Sequence, residues 1–242
     1  NTVLWDLIPN FAINNMQVVA GSNPVYGLNT LGGSMSMQTK SGRDFKKKNI
    51  DVSYGSWARS SSLVEAGGIV SDSNMDYYVG YEHFTENGWR KFSPSHVNQL
   101  FGKVGFESEM SRYELSYTGA NNILIGNGLT PKDLLGAERD GIHTLEDETK
   151  NEYGQLALNM SHFFDEETML AGNIYYKRSD RSTFNGDLND EFCDGDSYDE
   201  DECTAAQLAM SKSDAENLNE GVINRTNTLQ DAYGLNLQDV IN

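Results

Sequence analysis

Positive charge is scarce in this chain. Its 242 residues carry 18 Lys+Arg against 36 Asp+Glu, a formal net charge of -18. Binding to nucleic acid rests on phosphate neutralisation by basic residues, so nucleic acid is not an expected partner. Long apolar runs are also missing. No stretch approaches the ~18 consecutive apolar residues that a membrane-spanning helix needs. The chain opens without a Met, a basic stretch or an apolar leader core, so residue 1 reads as lying mid-chain and the sequence as a fragment. Cysteine is limited to Cys193 and Cys203, in an acidic stretch without a nearby His. That is a poor zinc site. A Cys193–Cys203 disulfide closing a short loop is the reading taken, worth roughly 3 kcal/mol by chain entropy; two free thiols are the alternative. A disulfide implies an oxidising compartment.

Catalytic signatures are missing as well. There is no H-E-x-x-H, no G-x-S-x-G, no Walker sequence and no dinucleotide fingerprint. The chain is not expected to be an enzyme, and no cofactor is expected beyond a possible loop calcium. Apolar residues, Gly not counted, make up only 38 %, low for a packed globule of this size. Low apolar content fits either disorder or a sheet in which every second residue is apolar. Twelve Tyr and ten Phe argue for the sheet.

Period-two alternation is what the sequence has in abundance. It runs through 50–54, 64–70, 75–82, 100–106, 113–118, 155–160, 170–177 and 233–237. Each run reads as a strand with one apolar face. Asp51, Ser53, Asp76, Glu82, Gln99, Lys103, Glu114, Gln155, Asn159, Asn173 and Lys177 fall on the polar face. Phe106, Tyr117, Phe163, Phe164, Tyr175 and Tyr176 are placed toward strand ends, as an aromatic girdle would be. The connectors alternate too. Those at 71–74, 107–111 and 165–167 are short, whereas 85–96, 121–152 and 179–230 are long. In an antiparallel meander alternate connectors emerge at the same end, so short turns gather at one end and long loops at the other. Transmembrane β-barrels of the outer-membrane type have this layout, and their lumen is polar. A soluble sheet packing its apolar face on a core is the alternative.

Residues 1–45 differ. Trp5 to Pro9 leads into a short helical or turn segment, with Pro9 suited to a first turn. MQVVA (16–20) reads as a buried strand, and SMSMQT (34–39) alternates again. Between them lies GSNPVYGLNTLGG (21–33), in which glycines permit positive-φ turns and close strand approach. This sequence resembles the end of the plug domain of TonB-dependent outer-membrane receptors. The resemblance is carried by Ile8, Pro9, Gly21, Pro24, Tyr26, Gly27, Asn29, Gly32 and Gly33, and by Thr39-Lys40-Ser41-Gly42. It is dense over 6–42; over 48–242 it rests on strand rhythm and phrases such as Glu86-Asn87-Gly88-Trp89-Arg90.

The resemblance implies a mostly β fold. Residues 1–45 would be the C-terminal part of a small α+β plug. Residues 46–242 would be the N-terminal part of a large antiparallel transmembrane β-barrel, about eight of 22 strands. It further implies active import of a scarce nutrient (an iron chelate such as a siderophore, a cobalamin or a glycan) across the bacterial outer membrane. The implied partners are outer-membrane lipid, the TonB energy-coupling complex, through a segment this sequence does not include, and a small-molecule ligand. A passive porin-like or adhesive barrel is the alternative. An open sheet with the plug end against its concave face is expected, with 179–230 as its least ordered part.

A few residues outside the resemblance invite chemistry. The run 187–203 holds nine carboxylates and no Lys or Arg. Calcium favours several oxygen ligands, so Asp194, Asp196 and Asp199 are a candidate set, set against a solvated acidic loop. His83, His96, His143 and His162 show no paired-ligand spacing; His96 and His143 fall in expected loops. Trp89-Arg90-Lys91-Phe92 could form an exposed ligand platform or fold back to pack.

Overall fold

The computed structural model describes residues 4–21, 32–128, 130, 132–144, 147–188 and 221–241. Two single 3₁₀ turns open it, at Trp5–Leu7 and Asn10–Ala12, with Pro9 as the cap of the second. Strands β1 (Ile13–Ala20) and β2 (Gly33–Thr39) form an antiparallel pair. Eight further strands follow: β3 (Lys48–Tyr54), β4 (Ser60–Ile69), β5 (Met75–Glu86), β6 (Ser95–Glu107), β7 (Ser111–Gly126), β8 (Asp147–Phe163), β9 (Thr168–Leu188) and β10 (Gly221–Ile241). They make one sheet in strict chain order, every neighbour antiparallel. A short helix, α1 (Lys132–Ala137), lies in the β7–β8 connection. The sheet is the partial β-barrel expected, with β3 and β10 as its two edges.

Because side chains alternate along a strand, cross-strand partners share a face. The register puts Asp76, Gly105, Glu114, Asn159, Asn173 and Asn236 in one row. The neighbouring row on the same face is Tyr78, Lys103, Ser116, Ala157, Tyr175 and Gly234. All eleven polar residues read from the sequence fall on this face. The opposite face carries Val79, Gly102, Tyr117, Leu156, Tyr176 and Tyr233 in register. Its apolar side chains are uncovered: Ile50, Val52, Tyr54 and Tyr233 are all more than 70 % exposed. The band runs from Met75 to Tyr81, from Phe106 to Leu100 and from Leu237 to Tyr233.

Five expectations need correction. Tyr175 and Phe163 lie on the polar face, since Tyr175 pairs with Ala157 and Gly234, and Phe163, paired with Met169, is in step with Ala157 and Asn159; neither belongs to a girdle, whereas Tyr176 faces outward. Tyr117 and Tyr176 mark the end of the apolar band, not the end of their strands. Strands β7 to β10 continue beyond it, so the long connectors shrink to 87–94, 127–146 and 189–220. Residues 179–188 and 221–230, expected to be loop, are a paired ladder. Alternation fades there because both faces become polar, so the period-two signal that marks a strand is lost while the backbone pairing continues. The β3–β4 connector, 55–59, lies at the long-loop end yet is short. Finally, the 16–20 strand exists but is not buried: Met16 is 46 % and Val18 68 % exposed.

Candidate functional site

The N-terminal segment lies on the polar face of the eight-stranded sheet, and this contact is where the buried chemistry gathers. Its apolar anchor is small. Ala12, Phe45, Tyr78 and Phe101 are buried together, with Phe11 against them. Phe45 meets the Tyr78 ring edge-on at 5.4 Å, and Phe101 lies 6.0 Å from it. Two of these aromatics come from β5 and β6; the other three residues come from the segment. A sheet face built for polar contact supplies few apolar positions, so most of the attachment must come from hydrogen bonds and ion pairs.

Amides hold the first 3₁₀ turn. A short turn leaves backbone carbonyls without intrahelical donors. Gln99 and Asn122 donate to the Asp6 carbonyl at 2.7 and 2.6 Å. Asn151 donates to the Asp6 carboxylate at 2.6 Å. All three amides are buried. They stand on β6, β7 and β8, so one residue of the segment is gripped by three adjacent strands. Lys103 of β6 donates to the Thr39 carbonyl at 3.3 Å.

Residues 40–43, which leave β2 for β3, form a charged strap. Lys40 pairs with Glu65 at 2.7 Å, and the Tyr78 hydroxyl donates to the same carboxylate at 2.6 Å. The Gly42 N–H donates to Asp76 at 3.1 Å. Asp76 is fully buried and also meets Arg43 at 3.2 Å and Arg112 at 2.7 Å. Glu107 bridges the same two arginines at 2.9 and 2.8 Å. Arg112 continues to Glu114 at 2.8 Å, which Lys103 approaches at 3.6 Å. Four carboxylates thus face four cations, so none of the buried charge is left uncompensated. The strap runs against the sheet itself. A Cβ on Gly42 would sit 2.3 Å from the Gly68 carbonyl oxygen, and one on Gly67 would sit 2.4 Å from that of Phe45. Only glycine allows that approach.

Above the strap a cavity of about 510 Å³ separates the segment from the sheet. Leu4, Ile8, Ile13 and Met37 line one side, and Tyr153, Gln155, Lys177 and Gln230 the other. Ile8 ends the first turn, and Pro9 is buried beside it. Gly21 and Gly33 adopt φ of +92° and +139°, at the two strand ends that the 22–31 connection joins. A Cβ at Gly33 would lie 2.7 Å from the Val19 carbonyl oxygen, whereas Gly32 stands in open space. Pro24, Tyr26, Gly27 and Asn29 lie outside the described residues. So do Cys193, Cys203, Asp194, Asp196 and Asp199, and with them the disulfide and calcium readings.

At the long-loop end, Arg90 folds back. Its guanidinium donates to the carbonyls of Asn127, Gly128 and Gly141 and to the Thr130 hydroxyl, tying 87–94 to the 127–146 connection. Trp89 and Phe92 stay more than half exposed, and Trp57 and Trp89 border an open hollow with Arg139 and Asp140. Of the two alternatives read for the four-residue phrase, Arg90 takes the packing one, while Trp89 and Phe92 stay exposed. His96 lies in β6, not in a loop, bonded to Thr85; His83 bonds Asn98, and His162 bonds Ser111. The ion pairs of the strap and the amide grip are not legible in the sequence, although Lys40, Ser41 and Gly42 carry the resemblance and Asp76, Gln99, Lys103 and Glu114 read as polar-face residues. Their one available signal was charge and amide at sheet positions whose strand neighbours are apolar.

No family model matches the sequence, and no curated protein matches it. Solved structures do. The siderophore receptor PiuA from Acinetobacter baumannii matches with a TM-score of 0.57 at 15 % identity, over 72 % of this chain and 27 % of that one. The ferric-catecholate import receptor Fiu from Escherichia coli K12 matches in two crystal forms. The closed form gives a TM-score of 0.62 at 12 % identity, over 94 % of this chain and 33 % of that one. The open form gives 0.63 at 14 % identity, over 95 % and 36 %. The chain thus spans about a third of the length of these receptors. Its fold is that of part of these receptors, a partial antiparallel β-barrel whose polar face holds a short N-terminal segment.

Proposed function

We propose that this chain is part of an outer-membrane receptor that imports a scarce nutrient by TonB-dependent transport, with residues 1–45 as plug and 46–242 as barrel wall. One observation carries the reading: a folded segment is fastened by matched charges to the polar face of a meander whose opposite face is an exposed apolar band. A soluble sheet would bury that band. A wall between lipid and a wet lumen needs both faces as they are, and a fastened segment inside the lumen is a plug. The similar structures, a siderophore receptor and a ferric-catecholate import receptor, favour an iron chelate over a cobalamin or a glycan. Transport, not catalysis, is the activity.

The test is uptake of a radiolabelled ferric catecholate by cells with and without the full-length protein. Uptake that needs both the protein and an energised inner membrane supports the proposal. Diffusive flux through the purified protein in liposomes, unaffected by uncouplers in cells, would make it a passive channel instead.

A further inference from the structure

On the outward face, Gly119 of β7 stands directly opposite Gly154 of β8. The Tyr117 ring lies across this pair. A Cβ at Gly119 would meet the ring at 3.1 Å, and one at Gly154 would meet the hydroxyl at 3.7 Å. The outcome is an open hollow of about 430 Å³ with an aromatic floor, bordered by Asn121, Glu152, Arg178 and Asp180. That volume falls within the ~300–1,000 Å³ of small-molecule sites.

Its height on the sheet matters. The row below is Tyr117, Leu156, Tyr176 and Tyr233; the row above is Asn121, Glu152, Asp180 and Leu229. The hollow straddles the line where the apolar band stops. Glu152 and Asp180 are cross-strand partners, and like charges placed opposite one another destabilise a sheet. Both carboxylates are exposed, and neither is in an ion pair with a described residue.

We propose that this hollow holds the saccharide headgroup of a membrane glycolipid. The inference rests on the apolar band facing lipid. An aromatic floor takes the apolar face of a sugar ring. Two carboxylates accept from its hydroxyls, Asn121 both donates and accepts, and Arg178 donates. With two carboxylates and one guanidinium the border is net negative. It therefore selects a neutral or aminated sugar and disfavours a phosphate-bearing head. The tyrosines and leucines directly below offer a path for the acyl chains of the same molecule, which favours a lipid-linked sugar over a free one.

The experiment uses the full-length protein in phosphatidylcholine nanodiscs doped with galactosyl diacylglycerol, and counts retained glycolipid by native mass spectrometry. Gly154→Val fills the hollow, and the 3.7 Å contact leaves room for its Cβ. Tyr117→Leu keeps the apolar surface and removes the ring. The surface pair Glu152→Gln with Asp180→Asn removes the acceptors' charge and preserves the fold if a packing variant does not. Retention by the wild type, lowered about tenfold in each folded variant at unchanged melting temperature, is the result expected. Equal retention in wild type and variants overturns the proposal. So does preferential retention of phosphatidylglycerol, or full displacement of the glycolipid by methyl galactoside, which would make the ligand a free sugar. Failure to enter nanodiscs at all would refute the lipid-facing band, and the proposal with it, before any lipid is counted.

Discussion

Replacing Asp76 with alanine should release the strap from the sheet. The carboxylate is fully buried and serves the Gly42 N–H, Arg43 and Arg112 at once. Losing an acceptor for a buried N–H costs ~1–3 kcal/mol. Breaking a buried ion pair costs ~3–5 kcal/mol when the partner is stranded, but Arg43 keeps Glu107 and Arg112 keeps Glu107 and Glu114. Both arginines are also partly exposed. The charge contribution is therefore well below that range, and the total is about 3 kcal/mol. If the strap opens as a local unit, hydrogen exchange at the Gly42 amide should speed up about 100-fold. Asp76→Asn keeps an acceptor for Gly42 and should give a smaller rise, about tenfold. The assay is hydrogen–deuterium exchange read at Lys40–Arg43 in the full-length protein, with β8 and β9 as internal reference. Exchange at Gly42 changed by less than about threefold would show that the ion pairs do not hold the strap, and the argument from buried charge would fail.

Three further outcomes follow from other contacts. Gly67→Val should cost roughly 3 kcal/mol or prevent docking of Phe45, because its Cβ would lie 2.4 Å from a backbone carbonyl oxygen that cannot step aside; a calorimetric melt equal to wild type would contradict this. Arg90→Lys loses the planar fork that reaches Asn127, Gly128, Thr130 and Gly141, so limited proteolysis within 127–146 should accelerate several-fold; an unchanged digestion pattern would refute the staple. In the 164–167 turn, the backbone N–H groups of Glu167 and Thr168 hold the Asp165 carboxyl below the ordinary aspartate range. Its contribution to the turn is complete above the unfolded-state pKa and is lost as pH falls through the lowered folded value. An NMR titration of Asp165 with a midpoint at or above the ordinary value would remove that contribution.

The strands and their faces were legible because alternation is written in the residues themselves. Tyr77, Val79 and Tyr81 against Asp76, Tyr78 and Gly80 admit one reading of β5. Legibility ended where the environment stopped being two-sided. At Arg178-Ser179-Asp180-Arg181-Ser182-Thr183 both faces of β9 are polar, so nothing in the composition separates a paired strand from a loop; only the ladder to β8 and β10 does. Tyr175 was assigned to the wrong face because two adjacent tyrosines look alike, although on a strand one of them must point inward. The strap escaped for a different reason. Arg43, Glu65, Asp76 and Arg112 are scattered over 70 residues and share no spacing; the meander alone brings them together. At the candidate site the sequence could flag charge on the polar face, but not that an N-terminal carbonyl and the four residues of the strap would land on it.

The strap also has a mechanical reading. Residues 40–43 lie between the β1–β2 pair and the first strand of the large sheet, and they are fixed to β4, β5 and β6. Tension applied anywhere before Lys40 reaches Lys40–Glu65 and Gly42–Asp76 before it reaches Lys48, where β3 begins. The contact works like the clamp that grips a cable ahead of its terminal. The load is shared among ion pairs that can break and re-form, and the β3–β4 ladder, which seven residue pairs hold in register, is spared the pull.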